Sequence, residues 1–127
     1  MTEYTIKVPG RPEAKSYGKS DGRMYRDPEV SAQEEKIGEL WEYQVGKWWP
    51  DAKLAFSLQA CYKDERHADL KNLIYLAEDA LSEVAYADDK QIITYEPYPE
   101  ILIREEEKTV IQLSEVDEQQ YGFKEVE

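Results

Sequence analysis

Apolar side chains alternate with polar ones in two stretches of the chain. Residues 3–8 (EYTIKV) alternate and are rich in β-forming side chains, so they predict an opening strand. In residues 54–62 (LAFSLQACY) every second side chain is apolar, which predicts a second strand. Residues 9–29 carry three glycines and three prolines, too many for a helix, and predict a loop or a loose hairpin.

Helical spacing appears twice. Asp27 and Pro28 are typical of a helix start, and the apolar residues that follow predict a helix ending near Gly46. A second helix is predicted over residues 69–84. Its apolar side consists of Leu70, Leu73, Ala77, Ala80 and Leu81, and a polar column consists of Asn72, Tyr75 and Asp79.

The last third of the chain predicts more strands. Residues 91–96 form one, and residues 101–105 and 108–114 are expected to pair as a hairpin. Residues 115–127 predict a frayed acidic tail. These elements together predict an α+β fold, in which a mixed or mostly antiparallel sheet is covered by two helices.

Length and composition indicate one small soluble domain. The 127 residues suit a single domain, assigned to residues 1–114, with residues 115–127 as the tail. No apolar run approaches the ~20 residues of a membrane span, so no membrane association is expected. A single cysteine, Cys61, excludes an internal disulfide and favours a reducing cytoplasm.

The net charge of −12 is unevenly distributed. Residues 64–127 hold 18 acidic and 6 basic side chains, whereas residues 1–26 hold 6 basic and 3 acidic ones. A phosphate-binding surface must be cationic, so any contact with nucleic acid is expected from the N-terminal segment. The alternative is that the acidity only keeps the protein soluble.

Several catalytic motifs are absent. The chain has neither a glycine-rich phosphate loop ending in Gly-Lys-Ser/Thr nor a serine nucleophile elbow. Cys61 fits a small side chain within a strand better than a nucleophile. His67, the single histidine, fits a charged surface turn better than a metal ligand or a DNA contact.

The strongest candidate chemistry is acidic. Asp69 begins the second helix, where aspartate is a common cap, and Asp88-Asp89 forms a tight turn after it. A helix of ~15 residues spans ~22 Å, so these carboxylates can meet only if the helix ends early or a second copy supplies one of them. Taken separately, each has an ordinary structural explanation.

Their order along the chain suggests more. Residues 67–92 (HADLKNLIYLAEDALSEVAYADDKQI) resemble the core of RusA-like Holliday-junction resolvases. The matching positions are Asp69, Asn72, Asp79-Ala80-Leu81, Asp88-Asp89 and Gln91-Ile92. Upstream, Gly10-Arg11-Pro12, Lys15 and Gly22-Arg23-Met24-Tyr25 resemble the N-terminal loop of that family. The resemblance covers about residues 4–114 and is specific in residues 67–92.

The resemblance implies a homodimer that cuts two opposed strands of a four-way DNA junction in recombination and repair, with Mg²⁺ as cofactor and Mn²⁺ as a substitute. It assigns the metal ligands to Asp69 and Asp89, with Asp88 as a lesser candidate. It also implies that Asn72 positions a phosphate or a ligand and that Lys71 contacts the scissile phosphate. The residues expected to follow the DNA backbone are Lys15, Lys19, Arg23 and Tyr25.

Three departures from the family pattern leave alternatives open. Lys71 replaces an aspartate, Tyr75 replaces a lysine, and no lysine lies near residues 97–99. Lys71 and Tyr75 are helical neighbours, so Lys71 could deliver the cation that position 75 lacks. If Lys71 is only a solvated residue, the chain is a catalytically weakened protein of this fold that regulates by binding DNA or protein. A structural metal site is a third alternative.

Tryptophan placement also suggests self-association. Core packing accounts for Trp41, whereas Trp48 and Trp49, just before Pro50, suggest an interface or a loop anchor. A homodimer at micromolar concentration is the expectation.

Overall fold

The computed structural model describes residues 2–13, 17–20, 23–26 and 28–117; for residues 17–20, 23–26 and 28–30 it describes the backbone alone. The two helices are α1 (Pro28–Gln44) and α2 (Leu70–Leu81). The strands are β1 (Glu3–Pro9), β2 (Tyr17–Ser20), β3 (Arg23–Arg26), β4 (Leu54–Tyr62), β5 (Ile92–Tyr95), β6 (Glu100–Ile103) and β7 (Lys108–Glu115). A short 3₁₀ turn, Asp89–Gln91, precedes β5.

The main sheet is mixed, and β4 lies at its centre. β7 pairs antiparallel with both β1 and β4, while β5 and β6 follow one another along the other side of β4, both parallel to it. β2 and β3 form a separate antiparallel hairpin. The predicted α+β class and the loose hairpin within residues 9–29 are therefore confirmed.

Both helices belong to one hydrophobic core with the sheet. Alternate side chains of β1, β4 and β7 point into this core, as the period of a strand requires, and each is 2% exposed or less. These side chains are Ile6, Val8, Leu54, Phe56, Leu58, Ala60, Tyr62, Ile111 and Leu113. Their fit against α1 and α2 fixes the position of α2, which carries the candidate site.

The predicted hairpin of residues 101–105 and 108–114 is wrong. β6 and β7 are not neighbours, because β4 lies between them. The connection crosses the end of β4 instead: the Arg104 amide donates to the Tyr62 carbonyl, and the Lys63 amide donates to the Glu107 carboxylate. A short polar connection is compatible with either arrangement, so the sequence of residues 104–107 does not distinguish between them.

α2 ends earlier than predicted, at Leu81 rather than near residue 84. Glu83 adopts a left-handed backbone conformation (φ 68°), which turns the chain back toward the core. Ala85 and Tyr86 are then fully buried. Their burial requires the chain to leave the helix, which shortens α2 to 12 residues, or ~18 Å.

The adjacent tryptophans have different surroundings. Trp49 is 2% exposed and packs edge-on against Tyr4 and at a tilt against Trp41, so it anchors the loop before β4. Trp48 is 46% exposed. The dimer remains a prediction. Within the described ranges, neither helix is long and apolar enough to cross a membrane.

Candidate functional site

Asp69 caps the N-terminus of α2, as its sequence position predicts. Its Oδ1 accepts a hydrogen bond from the Lys71 backbone amide at 2.9 Å, while its own backbone is extended. Asp69, Lys71 and Asn72 are all exposed and make up what we call the N-terminal group of α2. The helix therefore presents a carboxylate, a cation and a carboxamide to solvent on a single turn.

Tyr62, at the end of β4, holds the loop that leads into Asp69. Its hydroxyl donates to the Pro12 carbonyl at 3.0 Å and accepts from the Ala68 amide at 3.4 Å. Burial raises the pKa of this phenol above its usual range, so it stays neutral and can donate. Tyr62 thus ties the N-terminal segment to the residue immediately before Asp69.

Arg11 strengthens the same connection. Its guanidinium lies 4.9 Å from the centre of the Tyr62 ring, pairs with the Glu107 carboxylate and donates to the Arg66 carbonyl. These contacts hold residues 10–12 beside the α2 N-terminus. The segment that contains the β2–β3 hairpin therefore departs from a point next to Asp69.

Asp88 and Asp89 lie beyond the other end of α2. The Asp88 carboxylate caps the 3₁₀ turn by accepting from the Lys90 amide at 2.9 Å, and this bond lowers the pKa of Asp88. Loss of hydration raises the pKa of the Asp89 carboxyl, and the neighbouring Asp88 carboxyl raises it further. The expected tight turn is present, and its two carboxyls have different proton affinities.

A buried carboxyl that the sequence analysis missed lies beside this turn. Glu78 is 8% exposed, and its Oε2 accepts from the Tyr95 hydroxyl at 2.8 Å. Burial raises the pKa of Glu78, and the negative charges of Asp89 and Asp79 raise it further. Burial also raises the pKa of the Tyr95 phenol. The sequence offered one sign of this burial: residue 78 follows the buried Ile74 by one helical turn, so both lie on the same side of α2.

Glu78 should make stability depend on pH. Folding raises the pKa of Glu78 above its usual value of 4.5. At pH values between the unfolded and the folded pKa, the folded chain therefore binds more protons than the unfolded chain, and stability falls as pH rises through this range. Glu78→Gln cannot ionise but keeps an oxygen that accepts from Tyr95. Relative to wild type, we expect the free energy of unfolding of Glu78→Gln to be about 1 kcal/mol higher at pH 8 than at pH 4, which is the ordinary size of a single-residue effect.

Urea unfolding at both pH values measures this difference. The exposed Glu42→Gln, on α1, is the control and should show no such trend. A constant difference between Glu78→Gln and wild type at both pH values would contradict the assignment.

The structure does not bring the predicted metal ligands together within one copy. Asp69 precedes α2, which is ~18 Å long, and the Asp88–Asp89 pair follows it. Among the described side chains, those of residues 2–13 and 31–117, no three of His, Cys, Asp or Glu are arranged to hold a metal ion. Asp79 lies near Asp89, and its negative charge acts on that carboxyl.

The predicted DNA-contacting residues lie mostly beyond what is described. Lys15 falls outside the described residues. Lys19 belongs to β2, and Arg23 and Tyr25 to β3, where the backbone alone is described. His67, in contrast, is placed: it is exposed, and its Nδ1 donates to the Ala68 carbonyl at 2.9 Å, which fits a turn residue.

Comparison with known families gives a match that covers most of the chain. A family model described as Endodeoxyribonuclease RusA matches residues 3–114. The match spans β1 to β7 and includes both ends of α2. No curated protein matches the chain.

Proposed function

Because the chain belongs to the RusA endodeoxyribonuclease family, we propose that it resolves four-way DNA junctions by paired phosphodiester cleavage in recombination and repair. The family match over residues 3–114 is the observation that carries this proposal. It is supported by the exposure of Asp69, Asn72 and Asp89 at formed helix and turn ends, where each can reach a phosphate. With its cysteine buried and free, the protein is proposed to act in a reducing cytoplasm.

A complete metal site requires a second copy of the chain. Carboxylate oxygens are the ligands that Mg²⁺ prefers, but Asp69 and Asp89 of a single copy lie too far apart to share an ion. We therefore propose a two-fold homodimer in which Asp69 of one copy approaches Asp89 and Asp88 of the other. Two equivalent Mg²⁺ or Mn²⁺ sites would result, one for each strand to be cut.

The other side chains of the α2 N-terminus suit phosphate binding. Lys71 is proposed to contact the scissile phosphate, and Asn72 to hold a non-bridging oxygen or a ligand carboxylate. Both are exposed on the turn that Asp69 caps.

The contacts with the DNA backbone are assigned to the N-terminal segment. Lys15, Lys19, Arg23 and Tyr25 are proposed to follow the DNA backbone, since this segment is the basic part of an otherwise acidic chain. The contacts of Arg11 and Pro12 with Tyr62 support this assignment, because they hold the beginning of this segment beside Asp69.

A nicking assay on a synthetic four-way junction tests the function. With Mg²⁺ or Mn²⁺ we expect paired nicks in opposed strands, at least about 100-fold faster than on linear duplex of the same sequence, because only the junction fits a two-fold pair of sites. EDTA should abolish the nicks. Equal cutting of linear duplex, or none of the junction, would contradict the proposal.

A second candidate function is regulation by binding without cleavage. It is favoured by Lys71 and Tyr75, which replace an aspartate and a lysine of the family pattern, and by the acidic second half of the chain. The same junction separates the two functions: the regulator would shift it in a gel and leave its strands intact with either metal.

A further inference from the structure

Gln91 makes an unusually complete set of hydrogen bonds for one side chain. It is 7% exposed, and its Oε1 accepts from the backbone amides of Ala87 (2.9 Å) and Asp88 (3.0 Å). Its Nε2 donates to the carbonyls of Trp49 and Ala52, both at 3.0 Å. Both acceptor sites and both donor hydrogens of a carboxamide are therefore used.

These four bonds join two segments that are distant in sequence. Ala87 and Asp88 begin the turn that carries the Asp88 and Asp89 carboxyls, whereas Trp49 and Ala52 belong to the connection between α1 and β4. Trp49 is itself held in the core by Tyr4 and Trp41. The carboxamide thus fastens an exposed, carboxyl-bearing turn to a rigid part of the core.

The two halves of the carboxamide have different tasks. The acceptor half shapes the turn, because it binds the amides of the residues just before Asp89. The donor half attaches the side chain to the core. Backbone amides without an acceptor would leave the 87–89 segment free to adopt other conformations.

We propose that Gln91 is a positioning residue for cleavage: its acceptor half holds the turn so that the Asp89 carboxyl keeps the position that cleavage requires. This inference rests on the proposed nuclease function. Gln91 acts through Asp89 and does not itself touch DNA, so it governs turnover and not junction affinity.

Two near-isosteric variants separate positioning from stability. Gln91→Met removes all four bonds. Gln91→Glu keeps the oxygen that accepts from Ala87 and Asp88, but it replaces the donating NH₂ group by an oxygen that faces the carbonyl oxygens of Trp49 and Ala52. Both should unfold at lower urea concentration than wild type, because buried polar groups lose their partners. Gln112→Met and Gln112→Glu are matched controls, since Gln112 lies on the sheet face turned away from the helices.

Turnover should not follow stability. We expect Gln91→Met to lower kcat on the junction by roughly 10- to 100-fold with KM unchanged, the usual effect of losing a residue that orients a ligand. Gln91→Glu should keep kcat within about threefold of wild type, since the turn retains its acceptor. All rates are measured at a temperature where circular dichroism shows each variant folded.

Some outcomes would overturn the inference. Wild-type kcat in Gln91→Met, an equal loss of kcat in both Gln91 variants, or a rise in KM that accounts for the loss would each do so. Both Gln112 variants should retain the wild-type kcat and KM.

Amide hydrogen exchange gives a readout that does not need activity. Ala87 and Asp88 should exchange faster in Gln91→Met and stay protected in Gln91→Glu. If wild type cuts no junction, the nuclease proposal fails, while this exchange pattern still shows that the acceptor half holds the turn. Unchanged protection in Gln91→Met would overturn that role.

Discussion

Asp69→Asn and Asp89→Asn are each expected to lower junction cleavage by at least about 100-fold, since a bound metal supplies several kcal/mol of transition-state stabilisation. Junction affinity, measured by gel shift without metal, should not fall below that of wild type, since each change removes a negative charge that repels phosphates and leaves the shape of the side chain unaltered. Loss of cleavage without loss of binding is the expected signature of both variants.

Mixed dimers provide the sharper measurement. If Asp69 of one copy works with Asp89 of the other, a heterodimer of Asp69→Asn and Asp89→Asn has one site lacking both carboxylates and one site intact. Such a heterodimer, co-expressed with two affinity tags, should nick one strand and make no paired cuts. If each site lay within one copy, both sites would lack one carboxylate and the heterodimer would be inactive.

Glu39→Gln serves as the control for the mixed dimers. Glu39 is exposed on α1, and its change should leave paired cutting intact. An inactive Asp69→Asn/Asp89→Asn heterodimer would contradict the shared site, even if both homodimers lost cleavage as expected.

The individual helices and strands could be predicted because each follows a local rule. Alternation in residues 54–62 places β4, and the Asp69 and Asp88 caps are found where polar side chains precede a helical turn. Strand pairing is not local. The four residues 104–107 suit a hairpin, yet β6 and β7 pair with opposite edges of β4, and each of these pairings joins residues that are far apart in sequence.

The candidate site was predictable one residue at a time, but its geometry was not. The spacing of Asp69 and Asp88-Asp89 already implied a separation along the helix, and α2 keeps them apart even though it ends at Leu81. The hydrogen bond of Glu78 depends on Tyr95, and the two bonds that the Gln91 side chain donates depend on Trp49 and Ala52, which are far away in sequence. A single sequence does not specify such contacts.

Lys71→Asp is expected to change stability and cleavage in opposite directions. Lys71 lies in the first turn of α2, where the helix dipole disfavours a cation, so an aspartate there should stabilise the fold by about 0.3–1 kcal/mol. If Lys71 contacts the scissile phosphate, as proposed, the same change should lower junction nicking by at least about 10-fold, the effect of losing a hydrogen bond to a charged group.

Thermal unfolding and single-turnover nicking, measured on the same preparation, check both directions. Lys53→Asp is the matched control: it makes the same change of charge at an exposed lysine next to the opposite end of β4. A general electrostatic penalty on DNA binding would appear in both variants, whereas loss of a phosphate contact appears in Lys71→Asp alone. Faster nicking by Lys71→Asp would instead show that the lysine stands where a metal-binding carboxylate works better, and would overturn its assignment as the phosphate contact.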